Sequence, residues 1–264
     1  MTTDADEPVS YGSYLALDEL LGAQRPRSDE HDELLFIVIH QVSELWFKQL
    51  LHELAHLQRR LAAGDATSPL HTLRRTLVIL KTLVGQMDVL ETLTPRQFAG
   101  FRQRLGPASG FQSAQFRELE AVLGGRDRRL LALHAAGGAA HAAIANAMAR
   151  PALFDSLLRH LADAGYAVPA AALERDVAAP YEPDAGVQEV LLEVYGDEGL
   201  PAQICERMVD LDEGVQEWRY RHVKLIERTI GHQAGTGGSA GADFLRRTLF
   251  RPAFPDLWTV RSRL

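Results

Sequence analysis

ELLFIVIHQVSELWFK, residues 33–48, places apolar side chains on both sides of a single histidine, His40. Phe36, His40, Glu44, Phe47 and Leu51 recur at helical spacing, so they share one stripe of a helix. The flanking residues Ile37, Val38, Ile39, Leu45 and Trp46 make the segment apolar almost all round, the pattern of a helix deep inside a helical protein. A histidine there is either a hydrogen-bonded core residue or a chemical group held in a dry pocket.

Outward from this stretch, helical signals continue in both directions. No proline or glycine interrupts the chain from about Asp32 to Ala62, and Gly64-Asp65 closes that helix. A second long helix is predicted from Leu70 to Leu93. Thr94-Pro95 then supplies an N-cap and a first-turn proline for a short helix ending near Leu105, before Gly106-Pro107. Phe116, Leu119 and Val122 mark the next helix, stopped at Gly124-Gly125. The Ala-rich region that follows predicts helices near 128–135, 138–148, 151–164 and 187–195.

Met208, Leu211, Val215, Trp218, His222 and Ile226 repeat along a last long helix, from Pro201 to about His232, and put His222 on an apolar face. Short helices are expected over Phe244–Phe250 and Pro255–Arg261, and one near the start, opened by Tyr11 and Tyr14 and ending at Gly22. No segment alternates with period two, so the class is all-α: a single helical domain with long core helices.

Composition narrows the function classes. Thirty-five acidic residues against 28 basic ones give a net charge of −7, with no basic cluster, which argues against nucleic acid as a partner. Cys205 stands alone, so no internal disulfide forms and a reducing cytoplasm is the expected compartment. The acidic N-terminus is unlike a secretory signal, residues 1–10 are expected to be a disordered tail, and no apolar run is expected to span a membrane.

Three patterns could carry chemistry. His52-Glu53-Leu-Ala-His56 formally matches the zinc-hydrolase helix, in which two imidazoles one turn apart bind metal and the glutamate acts as base. It lies in a polar helix end without a third ligand, where two surface histidines account for it more simply. Residues 235–241, GTGGSAG, lack the lysine of a phosphate-binding loop, yet could offer Thr236 to a ligand. His40 and His222 are isolated imidazoles on long apolar helices, which suits a cofactor needing one axial histidine and a dry envelope, as haem does.

The chain resembles the tryptophan 2,3-dioxygenase family. The likeness rests on YGSYLALDELLGAQ at 11–24, HDELLFIVIHQVSELWFKQLLHEL at 31–54, VLETLTPRQFAGFRQRLGPASGFQSAQFRELE at 89–120, WRYRH at 218–222 and GTGGSAG at 235–241, all collinear. The resemblance implies a homotetrameric haem b enzyme, all-helical around its haem pocket over residues 11–264. Such an enzyme adds O2 across the indole C2–C3 bond of L-tryptophan to give N-formyl-L-kynurenine. His222 would be the proximal iron ligand and His40 the distal histidine facing the indole N–H. Arg102 would pair with the substrate carboxylate and Thr236 with its ammonium and carboxylate. Phe36, Phe98 and Leu105 would wall the indole pocket, Ser109, Gly110 and Met87 would lie against haem, and Tyr11 and Tyr14 would reach a neighbouring subunit's site. Met87 stands where relatives commonly carry an aromatic residue, and Ala240 where the loop usually has a second serine. Both departures leave open a one-atom, oxindole-type outcome on tryptophan or a substituted tryptophan.

Overall fold

The computed structural model describes residues 9–233, 235 and 242–264, and among these every regular element is helical. In chain order the α-helices are α1 (Tyr11–Leu15), α2 (Leu17–Leu21), α3 (His31–Ala62), α4 (Ser68–Leu90), α5 (Pro95–Arg102), α6 (Ala114–Val122), α7 (Ala139–Met148), α8 (Leu153–Asp163), α9 (Ala170–Leu173), α10 (Ala185–Gly196), α11 (Leu200–Ile230), α12 (Ala242–Arg246) and α13 (Pro255–Thr259).

Three long helices form the frame, with α4 packed against both α3 and α11. The α4–α11 crossing is close because Gly214 faces α4: a Cβ there would lie 3.1 Å from Leu77 Cδ1 and 3.3 Å from Leu80 Cδ1. A continuous apolar core runs from Phe47, Leu50, Leu54, Leu57 and Leu61 of α3 through α8 and α10 to Met208, Leu211 and Val215 of α11. A second cluster, Leu90, Leu93, Phe98, Phe101 and Leu225, gathers where α4, α5 and α11 meet.

Local chemistry sets the starts of the site-bearing helices. Glu33, 1% exposed, accepts from the Arg27 and Ser28 amides and the Ser28 hydroxyl, folding the preceding connector onto the first turn of α3. Burial works to raise its pKa, but those bonds outweigh it and leave the carboxyl below its ordinary value. Thr94 accepts from the Gln97 amide while Gln97 Oε1 accepts from the Thr94 amide, so the predicted cap of α5 is a reciprocal capping box with Pro95 in the first turn.

Several expectations are corrected. The first helix is two, because Ala16 adopts φ 49° and breaks the run between α1 and α2. Residues 128–133 form a 3-10 helix, tighter than the α-helix expected at 128–135. The α12 helix stops at Arg246, short of the expected Phe250, a residue with φ 55°.

The environment of α3 also differs from that of a helix buried on all sides. Leu34, Val38 and Leu45 are exposed on its outer face. Its most apolar 18 residues reach a mean hydropathy of 1.3, long and apolar enough to cross a membrane by composition, where the sequence suggested no such run. That apolarity serves two faces, one in the core and one uncovered in the single chain.

Candidate active site

The helices α3 and α11 run antiparallel along a cavity of about 220 Å³. Contacts at its two ends fix this direction, since Phe36 packs in the cluster of Leu225 and Ile230 while Phe47 meets Trp218, ring centroids 6.0 Å apart. Phe36 and Phe47 are separated by roughly 16 Å of helix, and between these ends two histidines line the cavity, His40 on α3 one turn from Phe36 and His222 on α11 one turn from Trp218. Around them the structure brings together Phe36, Met87, Phe98, Arg102, Leu105, Ser109 and Gly110, residues scattered over three sequence segments.

One end is an aromatic cage. Phe36 and Phe98 lie 5.7 Å apart, Phe36 and Phe101 5.5 Å, and Phe98 and Phe101 meet edge to face at 5.4 Å. Such pairs hold a flat apolar slot open by mutual packing. Arg102 lines the same end from the last turn of α5. The Phe36 ring also packs against the His40 ring, tilted by 39° with centroids 4.1 Å apart.

His40 Nδ1 lies 2.7 Å from the Phe36 carbonyl oxygen. Burial lowers the His40 pKa, partly opposed by that carbonyl and by Glu44 one turn on, so the ring is neutral at pH 7. Glu44, itself on the cavity wall, is held by Gln115 Nε2, which donates to its main-chain oxygen and to its carboxylate at 2.9 Å each.

The other end is cationic. Arg117 and Arg219 share Glu120 at 2.5 Å and 3.4 Å, leaving a net positive charge on the three. Arg117 is 6% exposed and lies over the Phe111 and Phe116 rings. The Nε atoms of both arginines are buried without an acceptor. His222, beside Trp218 at 5.1 Å, has no hydrogen-bond partner among the described residues. It is half-buried on the cavity wall, and desolvation, with smaller effects of His40 and Arg117, lowers its pKa to about 4. A neutral, unpartnered imidazole is a ligand in waiting. Together with apolar walls and two orphaned guanidinium N–H groups, it matches a large flat group that offers a metal at its centre and carboxylates at its edge.

The HELAH pattern is not a metal site. Glu53 is 4% exposed and takes both oxygens to Arg75 of α4, at 2.9 and 3.1 Å, with Gln49 also donating to it. It is an interhelical tie, so it cannot serve as a base, and no cluster of three metal-ligating side chains occurs among the described residues.

Two expected contributors lie elsewhere. Tyr11 and Tyr14 are 77% and 79% exposed and do not reach this cavity in the single chain. Thr236 and Ala240 fall outside the described residues, although Gly235 before them and Leu245 and Thr248 after them line the cavity. Arg117, Arg219 and Glu120 were not singled out from sequence. The Arg117–Glu120 spacing resembles an ordinary surface helix pair, and nothing local announces that Arg219 joins it from 99 residues away.

A family model described as tryptophan 2,3-dioxygenase matches residues 2–136 and 189–264. This chain belongs to the tryptophan 2,3-dioxygenase family. It is 66% identical over 256 residues to a tryptophan 2,3-dioxygenase of Anaeromyxobacter sp. (strain K), covering 97% of this chain and 96% of the relative. It is 52% identical to the Herpetosiphon aurantiacus enzyme of the same name, over 98% and 99% of the two chains. The Caulobacter vibrioides enzyme is 44% identical over the same shares. As a family member it is an oxidoreductase of a haem-dependent class. Residues 137–188, which lie between the two matched segments, still feed the core through Leu153, Phe154, Leu157, Leu158 and Leu161 of α8.

Proposed function

We propose that this protein is a haem b-dependent tryptophan 2,3-dioxygenase, adding both atoms of O2 to the indole C2–C3 bond of L-tryptophan to give N-formyl-L-kynurenine. The observation that carries the site assignment is the pair of half-buried, neutral histidines lining one cavity, one paired through Nδ1 and one with no partner among the described residues. His222 would ligate the iron. Arg117 and Arg219 would receive a haem carboxylate on their unpaired N–H groups. Bound there, haem supplies activation of dioxygen, and the protein supplies the rest.

That remainder is positioning. The Phe36 carbonyl can only accept, so it holds the His40 proton on Nδ1 and leaves Nε2 as an acceptor for the indole N–H. Phe36, Phe98 and Leu105 wall the ring, and Arg102 takes the carboxylate in a fork–fork pair, with Thr236 at the ammonium and the carboxylate. Met87, Ser109 and Gly110 border the haem. The cavity lining of α3, with Ser43 and Glu44, speaks for an internal helix over a lipid partner. The continuous core supports a single haem-binding domain over 11–264. The uncovered residues Leu34, Val38 and Leu45, with Tyr11, Tyr14 and Leu21, support a homotetramer in which the N-terminal helices cover a neighbour's site. A single buried cysteine suits the cytoplasm.

The test is the oxygen count. Purified protein given L-tryptophan and isotopically labelled dioxygen yields N-formylkynurenine with two labelled atoms by mass spectrometry. An oxindole with one labelled atom as the main product overturns the dioxygenase reading.

A further inference from the structure

Arg102 does not wait at the cavity mouth with its fork clear: its guanidinium donates to the side-chain oxygen of Gln233. That contact joins residues far apart in sequence and depends on how α11 ends. Gly231 takes φ +59°, a conformation that side-chain-bearing residues seldom adopt, and turns the chain out of the helix. The Gln233 amide N–H then donates back to the Ile230 carbonyl at 3.2 Å, which steers its side chain across to Arg102. Gln233 is exposed and is not a wall residue, whereas Arg102 lines the cavity.

The chemistry of the contact is informative. Arg117 and Arg219, the other guanidinium groups on this cavity, share a carboxylate. Arg102 meets a neutral amide oxygen, which accepts from a guanidinium as a carboxylate oxygen does but without the charge. A carboxylate therefore outcompetes it, and water or a neutral ligand does not. We propose that Gln233 is a resident competitor for the substrate carboxylate, and that it sets how strongly the site favours carboxylate-bearing indoles. A carboxylate that pairs with the Nη1 side of the Arg102 fork must displace the amide, and an indole without a carboxylate need not. The inference rests on Arg102 as the carboxylate partner, as proposed above.

The experiment is equilibrium binding to the haem-loaded protein with two probes. Indole-3-propionate carries the carboxylate; tryptophol, an indole alcohol one carbon shorter, carries none. Gln233→Ala is expected to tighten indole-3-propionate about threefold to tenfold, and Gln233→Glu to weaken it about tenfold or more by seating a full anion on the fork. Tryptophol affinity stays within about twofold in both. If Gln233→Ala weakens indole-3-propionate, the amide helps to hold the ligand and the competitor is overturned; unchanged binding of both probes in both variants overturns it equally. Arg102→Ala separates the two layers. Unchanged indole-3-propionate binding in that variant refutes the carboxylate role of Arg102, and with it the competitor. Weakened binding there, with both Gln233 variants inert, refutes Gln233 alone.

Discussion

The Nδ1 atom of His40 lies 2.7 Å from the carbonyl oxygen of Phe36, one helical turn earlier, so the backbone of α3 dictates which ring nitrogen carries the proton. Because the acceptor is main chain, no rotamer change can release it without turning the ring. The outward Nε2 is held as an acceptor by the same helix that positions Phe36 against it.

Replacing His40 with Ala is expected to slow turnover by about a hundredfold through misplacement of the indole, with haem content unchanged. Haem loss in that variant, read from the Soret absorbance per chain, would contradict a purely positioning role.

The acidic limb of kcat/KM provides an independent check. Burial lowers the His40 pKa below its ordinary 6.5, so the neutral acceptor persists as pH falls to that point and is lost only as pH passes below the depressed value. Activity should therefore hold flat from neutrality to below pH 6.5, and the limb beneath it should vanish in His40→Ala.

Stability of the haem-free chain should fall on the same side. His222 titrates near 4 in the folded chain and near 6.5 when unfolded, so between those values the unfolded state binds the extra proton. Stability is complete above 6.5 and declines by about 1.4 kcal/mol per pH unit as pH drops through that window. Urea midpoints of the haem-free chain and of His222→Phe across pH 7 to 4.5 test it: the variant should show a shallower slope.

Asp212 offers a test of the fold itself. It is 1% exposed, and its Oδ2 accepts from the Ala253 and Phe254 amides at 2.8 and 3.0 Å and from Trp258 Nε1 at 2.9 Å. Asp212→Ala leaves the buried Phe254 amide and the half-buried Ala253 and Trp258 donors without their acceptor and should cost about 3–5 kcal/mol in urea unfolding. Trp258→Phe removes one donor and should cost nearer 1 kcal/mol.

Deleting the chain through Leu21 should abolish activity and assembly together, since α1 and α2 contribute little to the single-chain core and expose Tyr11, Tyr14 and Leu21. A fully active monomer by light scattering would contradict a shared site.

The long helices were legible because their signals are local and repeated. The stripe of α3, the Thr94-Pro95 start of α5 and the periodic face of α11 each follow from a few residues' spacing. Most of the cavity wall was reached through family likeness, since no periodicity links Met87, Ser109 and His222. What stayed hidden depends on distant partners. Glu53 belongs to Arg75, not to the histidines flanking it, and Glu120 belongs to two arginines on different helices. The break at Ala16 was invisible for another reason: it is a left-handed residue without the glycine that usually advertises one.

The Asp212 contacts also impose an order on synthesis. The carboxylate sits on α11 ten residues before His222, and Gln216 one turn on donates to it, yet its other three partners are made 41 to 46 residues later. A chain that has emerged only as far as α11 holds that carboxylate with Gln216 alone of these donors. Ala253, Phe254 and Trp258 complete its shell only once they follow. The helix that carries His222 is thus locked in place by residues made after it.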